Sequence, residues 1–167
     1  MLLARLTVDD ADTSALAGVL SADERTRVES AARDALSLLA RADARMADEI
    51  AELERGIMGR DADPAAAARR ATEVEAELAR LIDIEQSQRL PFYRGLAHAL
   101  AAGAADGPPR VAAARQAVEL LAPLAPAAPG ADAQRRVHLA AAMLMTGPIT
   151  EPLADAATDV LAPVTGD

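Results

Sequence analysis

The sequence has no cysteine, lysine, asparagine or tryptophan, and its 167 residues include one phenylalanine and one tyrosine. The lack of cysteine excludes disulfides, thiolate metal sites and a cysteine nucleophile. The lack of lysine excludes a phosphate-loop lysine and Schiff-base chemistry. All 17 basic residues are therefore arginines, set against 26 acids for a net charge of -9. Such a field repels nucleic acid and, more weakly, an anionic membrane surface. Arg25, Arg27 and Arg33 are interleaved with acids, so no basic recognition helix is formed. No apolar run reaches the roughly 18 residues of a membrane span. The opening MLLARLTVDDADTS meets Asp9 before a secretory apolar stretch can develop. These absences predict a cytoplasmic chain with neither nucleic-acid nor membrane partners. Avoidance of Lys and Asn beside heavy use of Ala and Arg points to a GC-rich genome of actinobacterial kind.

Helix formers dominate and β-branched residues are sparse, so the predicted fold class is all-α. Ser21 followed three residues later by Glu24 is a capping box, each side chain serving an orphan backbone amide. From there Val28, Ala32, Ala35, Leu39, Ala42, Met46, Ile50 and Leu53 step by threes and fours along one long helix, with a phase slip after Met46. Gly56 and Gly59 supply a stop. Asp63 as N-cap and Pro64 at the first helical position supply the next start. A second stripe reads Ala67, Ala71, Val74, Leu78 and Leu81, with Ile82 and Ile84 expected to widen it. Two long amphipathic helices joined by a short connection predict an antiparallel, coiled-coil-like hairpin, on the order of 40 to 50 Å long at 1.5 Å per residue. The acid runs Asp48, Glu49, Glu52, Glu54 and Glu73, Glu75, Glu77 read as solvated faces.

Past Pro91 the charge density falls and Ala, Gly and Pro take over, which predicts an N-terminal segment and hairpin over residues 1–90 and a second part over 91–167, packed as one unit. ARQAVELLAP, beginning at Ala114, has a counterpart in ADAATDVLAP, beginning at Ala154, forty residues later. Each follows another short helix that ends in Gly: YRGLAHALAAG from Tyr93, and RVHLAAAMLMTG from Arg136. The unit is helix, Gly stop, Pro-marked start, helix, and then a Pro and Ala linker. Such units stack because neither helix pair buries its apolar face alone.

This unit resembles the tetratricopeptide-like helical pairs of actinobacterial proteins that carry a caspase-like CHAT domain. Tyr93, Leu96, Ala97 and Leu100 match the first helix of that pattern; Arg136, Leu139, Ala140 and Met143 match it again, with Arg136 replacing the leading large residue. Ala114, Val118 and Leu121 match the second helix, as do Ala154, Thr158 and Leu161 with a polar middle position. The resemblance covers residue 90 onward, has no counterpart to the long hairpin, and implies two short helix-turn-helix pairs that dock a peptide or partner helix. The peptidase chemistry of the CHAT domain is absent.

Chemical handles are few. His98 and His138 lack an acid three or four residues away, so the Glu-x-x-His pattern of carboxylate di-metal bundles is missing, and the acids at Asp61 and Asp63 lack the Gly and distal Glu of a calcium loop. No phosphate-cradling Gly pattern or nucleophile elbow occurs. No metal, cofactor or catalytic residue is assigned. The stretch RLPFYRG, residues 89–95, holds both aromatics, and Arg89, Tyr93, Arg94 and His98 are the candidate binding residues. In the structural reading Pro91 breaks or kinks the helix and restricts Leu90, while Phe92 wedges the hairpin against the repeat. The function expected is a non-enzymatic interaction or scaffold module that binds a protein partner or a second copy through helices, a homodimer included. The alternative is a small all-α enzyme or ligand carrier with a pocket near residues 89–95, where Arg89, Arg94 or His98 grips an anionic group.

Overall fold

The computed structural model describes residues 20–57, 64–126 and 128–165, and among these every regular element is helical. In chain order they are α1 (Ala22–Ile57), α2 (Pro64–Ala79), a π-helical segment (Arg80–Arg89), α3 (Leu90–Ala104), α4 (Gly107–Leu121), α5 (Pro129–Leu144) and α6 (Glu151–Thr165). Gly59 and Asp63 lie outside the described residues. None of these helices is long and apolar enough to cross a membrane.

α1 begins where its cap dictates. The Ser21 amide donates to Glu24 Oε2 at 2.8 Å and the Glu24 amide donates to Ser21 Oγ at 3.3 Å. Two amides that a helix leaves unserved are thereby paired reciprocally. Val28, Ala32, Ala35, Leu39 and Met46 of the α1 stripe are buried, and Ile50 and Leu53 pack at the edge of the same seam. α2 starts at Pro64, whose missing N–H costs nothing in the first helical turn.

Beyond Leu81 the second stripe departs from expectation. Ile82 and Ile84 do not widen it; they are 39% and 41% exposed, and Leu90 takes the inward place, buried with Leu39, Met46 and Leu81. The cause is the winding. Nine residues separate Leu81 from Leu90, about two and a half turns of an α-helix, which would put them on opposite faces. The Leu90 amide instead donates to the Glu85 carbonyl, five residues back. With five-residue steps the turn is wider and nine residues close about two whole turns, so both leucines face α1. The wide turn also suits Pro91, whose ring collides in an α-helix with the carbonyl four residues earlier. Pro91 therefore stands at the beginning of α3 without ending the helix, which runs unbroken through residues 64–104. Residues 90 and 91, the expected boundary, lie inside this run, where π winding gives way to α.

α3 is the most enclosed element and packs on α1, α4 and α5. Val28, Ala32 and Ala35 of α1 meet Phe92, Leu96 and Leu100 of α3, together with Leu121 of α4 and Leu139 of α5. Small residues bring α3 and α4 close. A Cβ added at Gly95 would fall 2.5 Å from Leu121 Cγ and 2.6 Å from its Cδ2. Leu121 is fully buried and has nowhere to swing. Gly95→Ala is therefore expected to force the two helices apart at a cost of roughly 1–3 kcal/mol, read as a lower denaturant midpoint at unchanged slope.

Ionic contacts link the elements. Arg25 at the start of α1 pairs with Asp106 in the turn before α4, and Asp43 farther along α1 pairs with Arg94 of α3 at 2.9 Å. α4 opens on Gly107, whose φ of +61° is disfavoured for any residue with a Cβ. α6 packs chiefly on α5.

Candidate functional site

The residues of 89–95 are drawn in three directions. Arg89 is exposed and donates to Glu85 Oε1 at 2.6 Å, and the same oxygen lies 3.5 Å from Arg80 Nη1. Arg80 in turn forks onto Glu77 at 2.6 and 2.9 Å. That hydrogen-bonded pairing holds the Glu77 carboxyl below its ordinary range and raises the Arg80 guanidinium above its own. The result is a ladder of ion pairs from the end of α2 along the π segment, with exposed arginines and a largely covered Glu85.

Arg94 points across to α1 and donates to Asp43 Oδ2 at 2.9 Å in a half-buried pair. Phe92 is 7% exposed and lies in the main core. Tyr93 is half-buried between the main cluster and the Leu39, Leu81, Leu90 cluster, its ring edge-on to Phe92 at 5.1 Å and 82°, a favoured aromatic geometry. His98, one turn beyond Arg94, is half-buried. Burial first and the Arg94 charge second keep its imidazole below the usual range. The expected grip on an anion thus has both of its guanidiniums already joined to carboxylates, Glu85 and Asp43, and a ligand would have to displace them. Geometrically the stretch is a clamp between α3 and α1.

Asp43 could not be paired with Arg94 from sequence, since 51 residues separate them. A second cluster was missed as well. Asp132 of α5 accepts from Arg135 Nε at 2.9 Å and from Arg136 Nε at 2.7 Å. These hydrogen bonds, Arg136's first, hold its carboxyl below the ordinary range. Arg135 is buried and its Nη1 also donates to the Leu121 carbonyl at 3.3 Å, serving the C-terminal end of α4. Arg136 Nη1 reaches the Val160 carbonyl of α6 at 3.3 Å. The spacing of Asp132 to Arg136 advertised a pairing within one helix, but nothing in the sequence disclosed the reach to two others. Among the described residues no group of three or more His, Asp or Glu stands close enough to hold a metal ion.

His138 is buried in α5, its Nδ1 2.8 Å from the Gln134 carbonyl oxygen. Burial lowers its pKa, and the hydrogen bond opposes that in part. An imidazole whose folded pKa is depressed takes up its proton more readily in the unfolded chain. Stability is then full above the ordinary histidine value of about 6.5 and falls as pH drops through it toward the folded values. The melting temperature is expected to fall between pH 7.5 and 5.5, and His138→Gln, which keeps an N–H donor, is expected to flatten that fall. An unchanged slope in the variant would remove His138 from the cause. The lowered carboxyl of Asp132 acts in a separate window, its contribution being lost only in more acid solution, as pH falls through its depressed value.

The chain is thus an all-α protein whose buried arginine and ion pairs fasten helices to one another. Comparison with protein-family models, with curated proteins and with solved structures returns no match.

Proposed function

We propose that the protein is a non-enzymatic interaction or scaffold module that recognises a protein partner, or a second copy of itself, through helical surfaces. In this reading α1 and the helical run from residue 64 to residue 90 form a long antiparallel hairpin, and α3 with α4 and α5 with α6 are two tetratricopeptide-like helix pairs. The opposite order of the cross-helix pairs, Arg25 with Asp106 and Asp43 with Arg94, supports the antiparallel course. The packing of α4 on both α3 and α5, and of α6 on α5, supports the pairing. The observation that carries the function is the commitment of polar groups. Arg89, Arg94 and Arg135 are joined to Glu85, Asp43 and the Leu121 carbonyl, which supports recognition through helical faces over a cationic grip at residues 89–95.

Sedimentation of the purified chain and cross-linked capture from the source cells test this. A dimer, or a stoichiometric protein complex that survives dilution, is the expected result. The carrier alternative is tested beside it by titrating inorganic phosphate against the side-chain NMR signals of Arg89, Tyr93, Arg94 and His98. A monomer without a partner whose signals shift saturably with phosphate would replace the module reading with the carrier.

A further inference from the structure

Along residues 65–89 a single side chain is buried, Leu81, which lies against Leu39, Met46 and Leu90. α3, which follows without a break, buries ten residues. The one firm anchor of this stretch therefore sits inside the π segment, and the residues that hold α2 to α1 are the residues whose winding aligns it. Runs of π winding this long are rare, and RLIDIEQSQR is composed largely of residues at home in an α-helix. The seam with α1 is what rewards the wider turn.

From this we propose that residues 80–89 are a conformational switch with two windings: π with α2 seated on α1, and α with α2 released. Seating and winding change together. With Leu90 held in place, α winding puts Leu81 about two and a half turns away, so the stripe of α2 turns about half a turn from α1. Two contacts belong to the π state alone. Glu85 Oε1 lies 3.5 Å from Arg80 Nη1, five residues earlier, and Ser87 Oγ donates to the Ile82 carbonyl, five residues back, at 2.8 Å. Residues five apart adjoin in π winding and diverge on an α-helix. The pairs of Glu77 with Arg80 and Glu85 with Arg89, three and four apart, suit α winding as well. Pro91 is the stop: in α winding its ring collides with the Ser87 carbonyl, which biases the segment toward the seated state. Release uncovers apolar side chains of α1, Leu39 and Met46 among them.

The chain has no cysteine, so Glu52→Cys in α1 and Glu73→Cys in α2, both exposed positions, carry spin labels at two chosen sites and nowhere else. Double electron–electron resonance on the full chain is expected to show one main separation and a minor second one. Pro91→Ala, which lifts the bar to α winding, should raise the second population about tenfold. Far-ultraviolet circular dichroism should show no loss of helix, because the segment rewinds without melting. Leu81→Ala removes the anchor while keeping the proline, and should raise the same population. A distribution that neither variant alters overturns the switch. A second separation that grows only as helical signal is lost overturns it too, since that is fraying of α2. An increase with Leu81→Ala but none with Pro91→Ala shows an anchor without a change of winding, and also overturns it. No partner enters these measurements, so each outcome leaves the interaction-module reading to its own test.

Discussion

Deleting Ser87 is expected to destabilise the protein by roughly 2–5 kcal/mol, whereas deleting Gln86 and Ser87 together, in a Pro91→Ala background, is expected to leave the melting temperature close to that of Pro91→Ala itself. The reason is phase. Leu81 and Leu90 both bury against Leu39 and Met46, and their spacing of nine suits two turns of π winding. With one residue removed the spacing is eight, too few for two π turns and about 80° out of phase for an α-helix. One leucine must then leave the seam, with the cost of an unfilled site. With two residues removed the spacing is seven, about two turns of an α-helix, and both leucines face inward again. Ile84, exposed in the native winding, would then join them three residues after Leu81. The Pro91→Ala background is needed because an α-helical segment cannot hold that proline without losing about 3 kcal/mol. Circular dichroism melts of the parent and the two deletions decide the matter. A harmless single deletion and a damaging double one would show that the π winding is not what aligns the seam.

Phe92→Ala is expected to cost about 3–5 kcal/mol, on the order of 10 °C in melting temperature for a chain of this size. Phe92 is the largest apolar side chain of a core otherwise built from Leu, Val and Ala, and it joins α3 to α1 through Val28, Ala32 and Ala35. Alanines have no length with which to fill the gap it would leave, so the site collapses poorly and the cavity contribution is high. Tyr93, half-buried beside it, loses less on truncation to alanine. A Phe92→Ala loss below 1 kcal/mol, or one smaller than that of Tyr93→Ala, would contradict the packing described.

Much of the helical organisation was legible because its signals are local. The Ser21 and Glu24 capping box, the stripe from Val28 to Met46, the start at Pro64 and the Gly-Pro punctuation before α4 each operate within a turn or two of chain. The pairing partners of the candidate residues were less accessible. Arg89 and Glu85 stand four apart and share a helix, so their pairing follows from spacing. Arg94 has no such marker, because Asp43 reaches it only when α1 lies against α3.

Local chemistry therefore determined an all-α chain, where most of its helices begin, and which faces turn inward, because hydrogen bonding within a helix and amphipathic period depend on near neighbours. Helix packing decided the remainder. Gly95 had to be glycine because the Leu121 side chain occupies the place a Cβ would take, and Arg135 became buried because the end of α4 offered it a carbonyl. Ile82 and Ile84 were turned outward because a seam shared with Leu39 and Met46 rewards Leu90 at the cost of α winding. RLPFYRG reads as a cationic aromatic patch when taken alone. Two helices brought together make it a clamp, since Phe92 needs a core to enter and Arg94 needs a carboxylate from another element.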